Sequence, residues 1–198
     1  MRTFRRTFAA ILTGLLLCSL IAGCQKANSK KGECWDPNWL IGTWEGTTPS
    51  SITPFENTKI KIVIKEFHLG GGDTLEGGTQ EIWAYEGTFT WDVDGTPWSV
   101  NFTSEEYPQT DSNIIIWDCL TVTQANQTMN NISLRIGDLS QTDPYHSIDL
   151  DFGPVINTTG IAPTQIDFYG DVEITVGENY FRSDYPPVSG SMIRMKKK

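Results

Sequence analysis

The chain has 198 residues, with 24 acids against 15 Lys and Arg and a formal net charge of −9 at pH 7. Three of the cations, Arg2, Arg5 and Arg6, stand at the very start, and no acid precedes Glu33. Without those three the balance falls to 24 acids against 12 cations, net −12, which disfavours nucleic-acid binding, since that needs a cationic surface, and leaves length for one domain with a substantial core.

The basic start is followed by a mostly apolar run from Phe8 to Ile21, interrupted only by Thr13, Gly14 and Ser19. The run is short for a membrane-spanning helix and has the length of a signal-peptide apolar region. It closes on Leu20-Ile21-Ala22-Gly23-Cys24 and turns polar at Gln25-Lys26. This resembles the bacterial lipoprotein signal: an aliphatic residue three before an obligatory cysteine, with small residues between. The resemblance implies that residues 1–23 are removed and that the Cys24 thiol is lipidated, anchoring the protein to a membrane of the cell envelope. A cysteine carrying two or more acyl chains anchors stably, where one chain would be marginal. Gln25 rather than Asp after Cys24 favours the outer membrane if the cell is Gram-negative. The plainer alternative is an ordinary secretory signal in which Cys24 is incidental.

Residues 24–38 read as a lipidated N-terminus and polar tether, with 25–33 flexible. Lys26, Lys30 and Lys31 lie close enough to the membrane to touch anionic headgroups, unless the stretch is simply a solvated linker. Cys18 leaves with the signal, so Cys34 and Cys119 remain. They can form a disulfide that pins the start of the domain to a mid-sequence strand, or stand as two separate buried thiols. Neither has metal-site spacing. Trp35 and Trp39 precede the first strand and are expected to plug or cap the fold.

From Trp39 onward the pattern is alternation with period two. Ile60, Ile62 and Ile64 alternate with Lys59, Lys61 and Lys65; Trp83, Tyr85, Phe89, Trp91 and Val93 alternate with polar residues. Asp94-Gly95 is a hairpin-turn signal, after which Trp98, Val100 and Phe102 continue the pattern. Residues 113–123 differ, because Ile114-Ile115-Ile116-Trp117 is apolar on both faces; the N-terminal segment is expected to cover this strand from outside. Further alternation follows at Ile132, Leu134 and Ile136, at Ile148, Leu150 and Phe152, and from Ile166 through Phe168, Val172 and Ile174 to Val176. Turn clusters at Gly70-Gly71-Gly72-Asp73, Gly77-Gly78, Asp94-Gly95, 125–127, Asp143-Pro144 and Pro186-Pro187 separate the strands. The expectation is an all-β domain over 39–198, an antiparallel up-and-down β-barrel of about 8–10 strands, because closure removes the exposed edges that such a sheet would otherwise carry.

The first strand, Leu40-Ile41-Gly42-Thr43-Trp44-Glu45-Gly46, resembles the Gly-x-Trp opening of the calycins, which include the lipocalins. The last strand, over 188–196, carries Arg194 where that superfamily places a cation. The whole looks like a calycin-like lipoprotein of the kind found in Bacteroidetes. The resemblance implies that Gly42 and Trp44 sit at the closed end of the barrel and that Arg194 packs on the Trp44 ring, as structural residues. The second and third lipocalin signatures are not recognisable.

Enzyme chemistry is thin. His68, read as lying where a strand runs into the glycine cluster, and His146, beside Asp143-Pro144-Tyr145, have no partner at metal spacing. No Gly-x-Ser-x-Gly or phosphate-binding glycine loop occurs. Asp92-Val93-Asp94-Gly95 is better explained as a hairpin turn than as the start of a calcium loop. Asp149, Asp151, Asp167 and Asp171 alternate onto the wet face, where pKa shifts are small. No catalytic residue, metal or cofactor is expected. The aromatics are the functional lead: Trp83, Tyr85, Trp91 and Trp98 share an inward parity and either fill the barrel or line a cavity. If a cavity exists, Trp91 and Trp98 flank its mouth and Trp83 lies deeper. The expected function is binding of a small hydrophobic or glycan-like ligand. The alternative is a filled, non-catalytic accessory barrel docking another envelope protein.

Overall fold

The computed structural model describes residues 29–50, 56–93, 95–103, 114–137, 146–176, 179–183 and 193–198. Cys24 and the segment expected to be a signal lie outside these residues, as do Asp94, Asp143-Pro144 and Pro186-Pro187.

A short 3₁₀ helix, Pro37–Leu40, precedes the strands. Its Asp36 carboxylate accepts from the Asn38 N–H at 2.9 Å, and proline opens its first turn, where a missing N–H costs nothing. Among the described residues ten strands follow: β1 (Gly42–Thr47), β2 (Lys59–Leu75), β3 (Gly78–Val93), β4 (Thr96–Phe102), β5 (Ile114–Val122), β6 (Gln127–Gly137), β7 (His146–Ile156), β8 (Gln165–Val176), β9 (Asn179–Ser183) and β10 (Ile193–Lys197). All pairings are antiparallel. The ring runs β10-β1-β2-β3-β5-β6-β7-β8 and is closed by the pairing of β10 with β8. β4 pairs with the second half of β3, and β9 with the second half of β8. The protein is an all-β, up-and-down barrel.

The period-two pattern is what closes it. Ile60, Ile62 and Ile64 are buried while Lys59 and Lys61 are exposed, and the same division holds for Ile132, Leu134 and Ile136 on β6 and Ile166 and Phe168 on β8. Facing rows of branched and aromatic side chains then share one interior.

One expectation about strand boundaries needs correction. Gly70-Gly71-Gly72-Asp73 is no turn: β2 continues through it to Leu75, and the chain reverses at Glu76-Gly77, where Gly77 has φ +91°. The glycines mark an irregularity in the ladder between Leu69 and Gly71, and a second one lies between Ile64 and Glu66. An extra residue in a strand shifts parity by one, so after Lys65 it is the odd residues of β2, Phe67 and Leu69, that stand opposite Tyr85 and Trp83.

The N-terminal segment does not cover β5 from outside. Cys34 is disulfide-bonded to Cys119, with Cα atoms 5.9 Å apart. Cys119 shares parity with Ile115 and Trp117, which are buried inside. The segment therefore crosses the barrel's inner end and closes it, and Trp35, Trp39 and Leu40 become core residues. This plugged end also carries the start of β1, the end of β10, the β2–β3 and β5–β6 turns and the β7–β8 connection. The far end carries the β3–β4 hairpin and the start of β10.

The described part of the expected tether is also held. The buried Asn157 side chain donates to Ser29 Oγ at 2.7 Å, to the Lys30 carbonyl at 3.0 Å and to the Glu33 carbonyl at 2.9 Å. Its carbonyl oxygen accepts from Gly160 N–H at 2.8 Å, and its backbone carbonyl accepts from Gly32 N–H. Gly160 has φ +75°, and a Cβ there would lie 2.6 Å from the Ser29 carbonyl oxygen, so only glycine lets the segment approach.

Candidate functional site

The plugged end is built from three tryptophans and a lysine. Trp35 meets Trp39 edge-on with ring centroids 5.0 Å apart, and Trp39 meets Trp44 at 6.1 Å and 89°. Trp44 is 1 % exposed, and its indole N–H donates to the Leu40 carbonyl at 2.8 Å. The cation over Trp44 is Lys197, with Nζ 5.5 Å from the ring centroid, and the same ammonium donates to the Trp39 carbonyl. Arg194 is not there. Trp44 stands opposite Lys197 in the ladder, whereas Arg194 stands opposite Thr47. Ile193 and Met195 point inward, which sends Arg194 outward and Lys197 back in. Arg194 instead makes a surface ion pair with Asp167, Nε to Oδ1 2.7 Å. Gly42 has φ +131°, and a Cβ on it would lie 3.0 Å from Lys197 Cε, so the glycine both makes the bend and clears the lysine's path.

The aromatic row fills the interior. Tyr85, Phe89, Trp91 and Trp117 are completely buried and Trp98 is 8 % exposed. Trp91 and Trp98 stand directly opposite one another, 6.4 Å between ring centroids, and Phe89 packs on Trp98 at 5.8 Å. The Trp91 indole donates to Thr58 Oγ1 at 2.8 Å. A cavity of about 10 Å³, room for a single water at most, lies elsewhere, among Leu40, Trp44, Ile62, Ile115, Leu134 and Met195. Trp83 lies further from the β3–β4 hairpin than Trp91 and Trp98 do. It is only partly buried, lies toward the plugged end and packs against Phe67 at 5.2 Å. The parity shift at Lys65 brings Phe67 to it, and no pattern of alternation announces such a shift.

Tyr85 ties row and plug together by donating its phenolic hydroxyl to the Pro37 carbonyl at 2.9 Å. Burial, with a smaller contribution from the Asp36 charge, raises its pKa well above the ordinary tyrosine value. The folded state thus favours the neutral phenol. Its contribution is fully present below about pH 10, the ordinary tyrosine value, and is lost as pH rises toward the raised one. Tyr85→Phe should lower stability at neutral pH by about 1 kcal/mol through the missing hydrogen bond, and should soften the fall in urea midpoint as pH rises above about 10. An unchanged alkaline slope in the variant would assign that fall to other groups.

One polar cluster escapes the sequence pattern. His68 lies within β2, not in a loop, and Glu66, His68 and Glu86 bring one donor atom each within 4.8 Å on the outer face. Glu66 stands directly opposite Glu86, and the bulge at Lys65 is what turns Glu66 and His68 outward. Glu86 has its pKa raised, first by a hydrogen bond with Glu66 and then by partial desolvation and the Glu66 charge. The donor types suit a divalent cation, but Glu66 and His68 stand open to solvent. The outer-face aspartates sit in polar ladders: Asp151 accepts from Ser133 Oγ at 2.6 Å, and Asp167 is held by Arg194 and Gln165. The side chains of Asp149, Asp171 and His146 lie outside the described set.

No protein-family model matches the chain, and comparison with curated proteins and with solved structures finds no match.

Proposed function

We propose that the protein is a lipid-anchored barrel of the bacterial cell envelope, calycin-like in the closure of its plugged end, that acts as a non-catalytic interaction module through its outer surface. The observation carrying this reading is the filled interior: Tyr85, Phe89, Trp91 and Trp117 leave no exposed area, and the cavity beyond them holds about 10 Å³. Ligand pockets for drug-sized molecules occupy roughly 300–1,000 Å³. The calycin likeness is supported by Gly42 and by Trp44 under Lys197. The anchor is supported by the signal ending at Cys24.

A second reading, a small hydrophobic or glycan-like ligand, has one observation in its favour. The buried indole N–H groups of Trp35, Trp39, Trp83 and Trp117 have no hydrogen-bond acceptor among the described residues, and buried donors are normally paired.

Native mass spectrometry of protein purified without its signal separates the two. The filled-barrel reading expects the mass of the chain alone and no tryptophan quenching by added apolar ligands or sugars. A retained small molecule, with a quench that shrinks in Trp91→Phe or Trp98→Phe, would replace it by the ligand reading. For the anchor, the mature chain is expected to begin at Cys24 with added lipid mass, and Cys24→Ser to yield soluble or unprocessed protein. A mature N-terminus elsewhere, without lipid, would defeat that part.

A further inference from the structure

We infer that the barrel stands on the bilayer by its plugged end, with Ile161, Ile156 and Leu75 against the lipid surface and the far end presented away from the membrane. This rests on the lipid anchor at Cys24 proposed above.

The first argument is reach. The chain is clasped to the plugged end from Ser29 onward, through Asn157 and Gly160. Between Cys24 and Ser29 there are five residue steps, and a chain advances at most ~3.6 Å per residue, so the leash is at most about 18 Å long. β6 has 11 residues. At about 3.3 Å per residue and the tilt of about 35–45° usual in barrels, such a strand spans roughly 25–30 Å along the barrel axis. With the far end on the membrane, Ser29 would stand further from the lipid than the leash allows.

The second argument is where the apolar surface lies. Leu69, Leu75, Ile156 and Ile161 are the large hydrophobics that stand most exposed among the described residues, at 58, 42, 42 and 62 %. Three of them belong to the plugged end, Leu75 to the end of β2 at its turn, Ile156 to the end of β7 and Ile161 to the β7–β8 connection, while Leu69 lies further back on β2, opposite Trp83. Ile161 directly follows Gly160, whose carbonyl accepts from Ser29 N–H, so it emerges beside the leash itself. Apolar side chains gathered on one end of an otherwise acidic domain mark an interaction surface. Lys30 and Lys31, exposed on the same segment, add the charge that anionic headgroups attract.

The clasp converts an anchor into an orientation. A free tether of 15 residues would let the barrel tumble above the membrane. Asn157, by bonding Ser29, Lys30 and Glu33 together, removes that freedom.

The test uses the full lipidated protein in vesicles of phosphatidylethanolamine and phosphatidylglycerol whose acyl chains are brominated. Ile161→Trp places a reporter at the plugged end and Thr47→Trp one at the far end of β1, both at exposed positions. Unchanged melting of each variant confirms that the barrel is intact. The expected result is loss of the added emission at position 161 and its persistence at position 47. A second pair, Ile161→Asp and Ile156→Asp, should leave the lipid mass and the melting unchanged but raise hydrogen exchange across the β7–β8 connection in vesicles. Quenching at position 47, or none at position 161, in protein that carries its lipid would overturn the orientation while leaving the anchor in place. Absence of lipid mass would remove the anchor and the orientation together.

Discussion

Replacing Cys34 and Cys119 together by alanine should lower stability by about 4–5 kcal/mol, and reductant should have the same effect on the unaltered protein. The two cysteines are 85 residues apart. In the chain-entropy account, a cross-link closing a loop of that length removes about 4.5 kcal/mol worth of freedom from the unfolded chain, within the measured range of about 2–5 kcal/mol for native disulfides. For a domain of this size each kcal/mol moves Tm by about 2–4 °C, so a drop of about 10–15 °C is expected. The loss should be focused. Residues 29–40 are joined to the barrel by the disulfide, by Trp35 N–H to Asn130 Oδ1 and by the Asn157 contacts, so hydrogen exchange there should rise before exchange in β1 or β6 does. A Tm shift of less than about 3 °C would mean that the tryptophan stack seats the plug without the covalent link.

Trp44→Ala should be comparably severe, at about 3–5 kcal/mol, the usual cost of emptying a buried tryptophan site. The ring is buried, contacts Trp39, lies under Lys197 and donates to the Leu40 carbonyl. Its removal would enlarge a cavity that Trp44 and Leu40 already border. The cations around it provide a sharper comparison. Lys197→Ala should cost about 1–2 kcal/mol, through the cation–π contact and the hydrogen bond to the Trp39 carbonyl. Arg194→Ala should cost less than Lys197→Ala, because its pair with Asp167 is exposed to solvent. Chemical denaturation of the three variants gives the order directly, and a larger loss for Arg194→Ala than for Lys197→Ala would contradict the register of β1 with β10.

That register shows where reading the sequence as a string goes astray. The expectation of a cation over Trp44 was chemically sound, and the last strand offered Arg194, Lys196, Lys197 and Lys198. The inward parity of Ile193 and Met195 already pointed to 197 rather than 194, since odd residues of that strand face the core. The resemblance drew attention to an arginine, and strand parity selects the lysine. Trp83 is less buried than its parity implies, for a different reason. Its own strand alternates correctly, but the β2 residues beside it change face at Lys65 and again near Gly70, and an added residue leaves no mark on hydrophobic periodicity beyond a broken row.

The sequence by itself determined the barrel and its inward rows. Period-two alternation is a local property, and the rows it named on β2, β6 and β8, Ile60 to Ile64, Ile132 to Ile136 and Ile166 with Phe168, are buried, while Trp83 and Val100 are partly buried. Only the tertiary structure decided how the ends are finished. Whether Cys34 meets Cys119, whether the N-terminal segment lies inside or outside, which cation covers Trp44 and whether the aromatics enclose space all depend on contacts between residues far apart in the chain. Ser29 and Asn157 are 128 residues apart, Trp39 and Lys197 158. Such contacts are set by strand register and by the volume left after eight strands close, and neither quantity is written in the neighbourhood of any one residue.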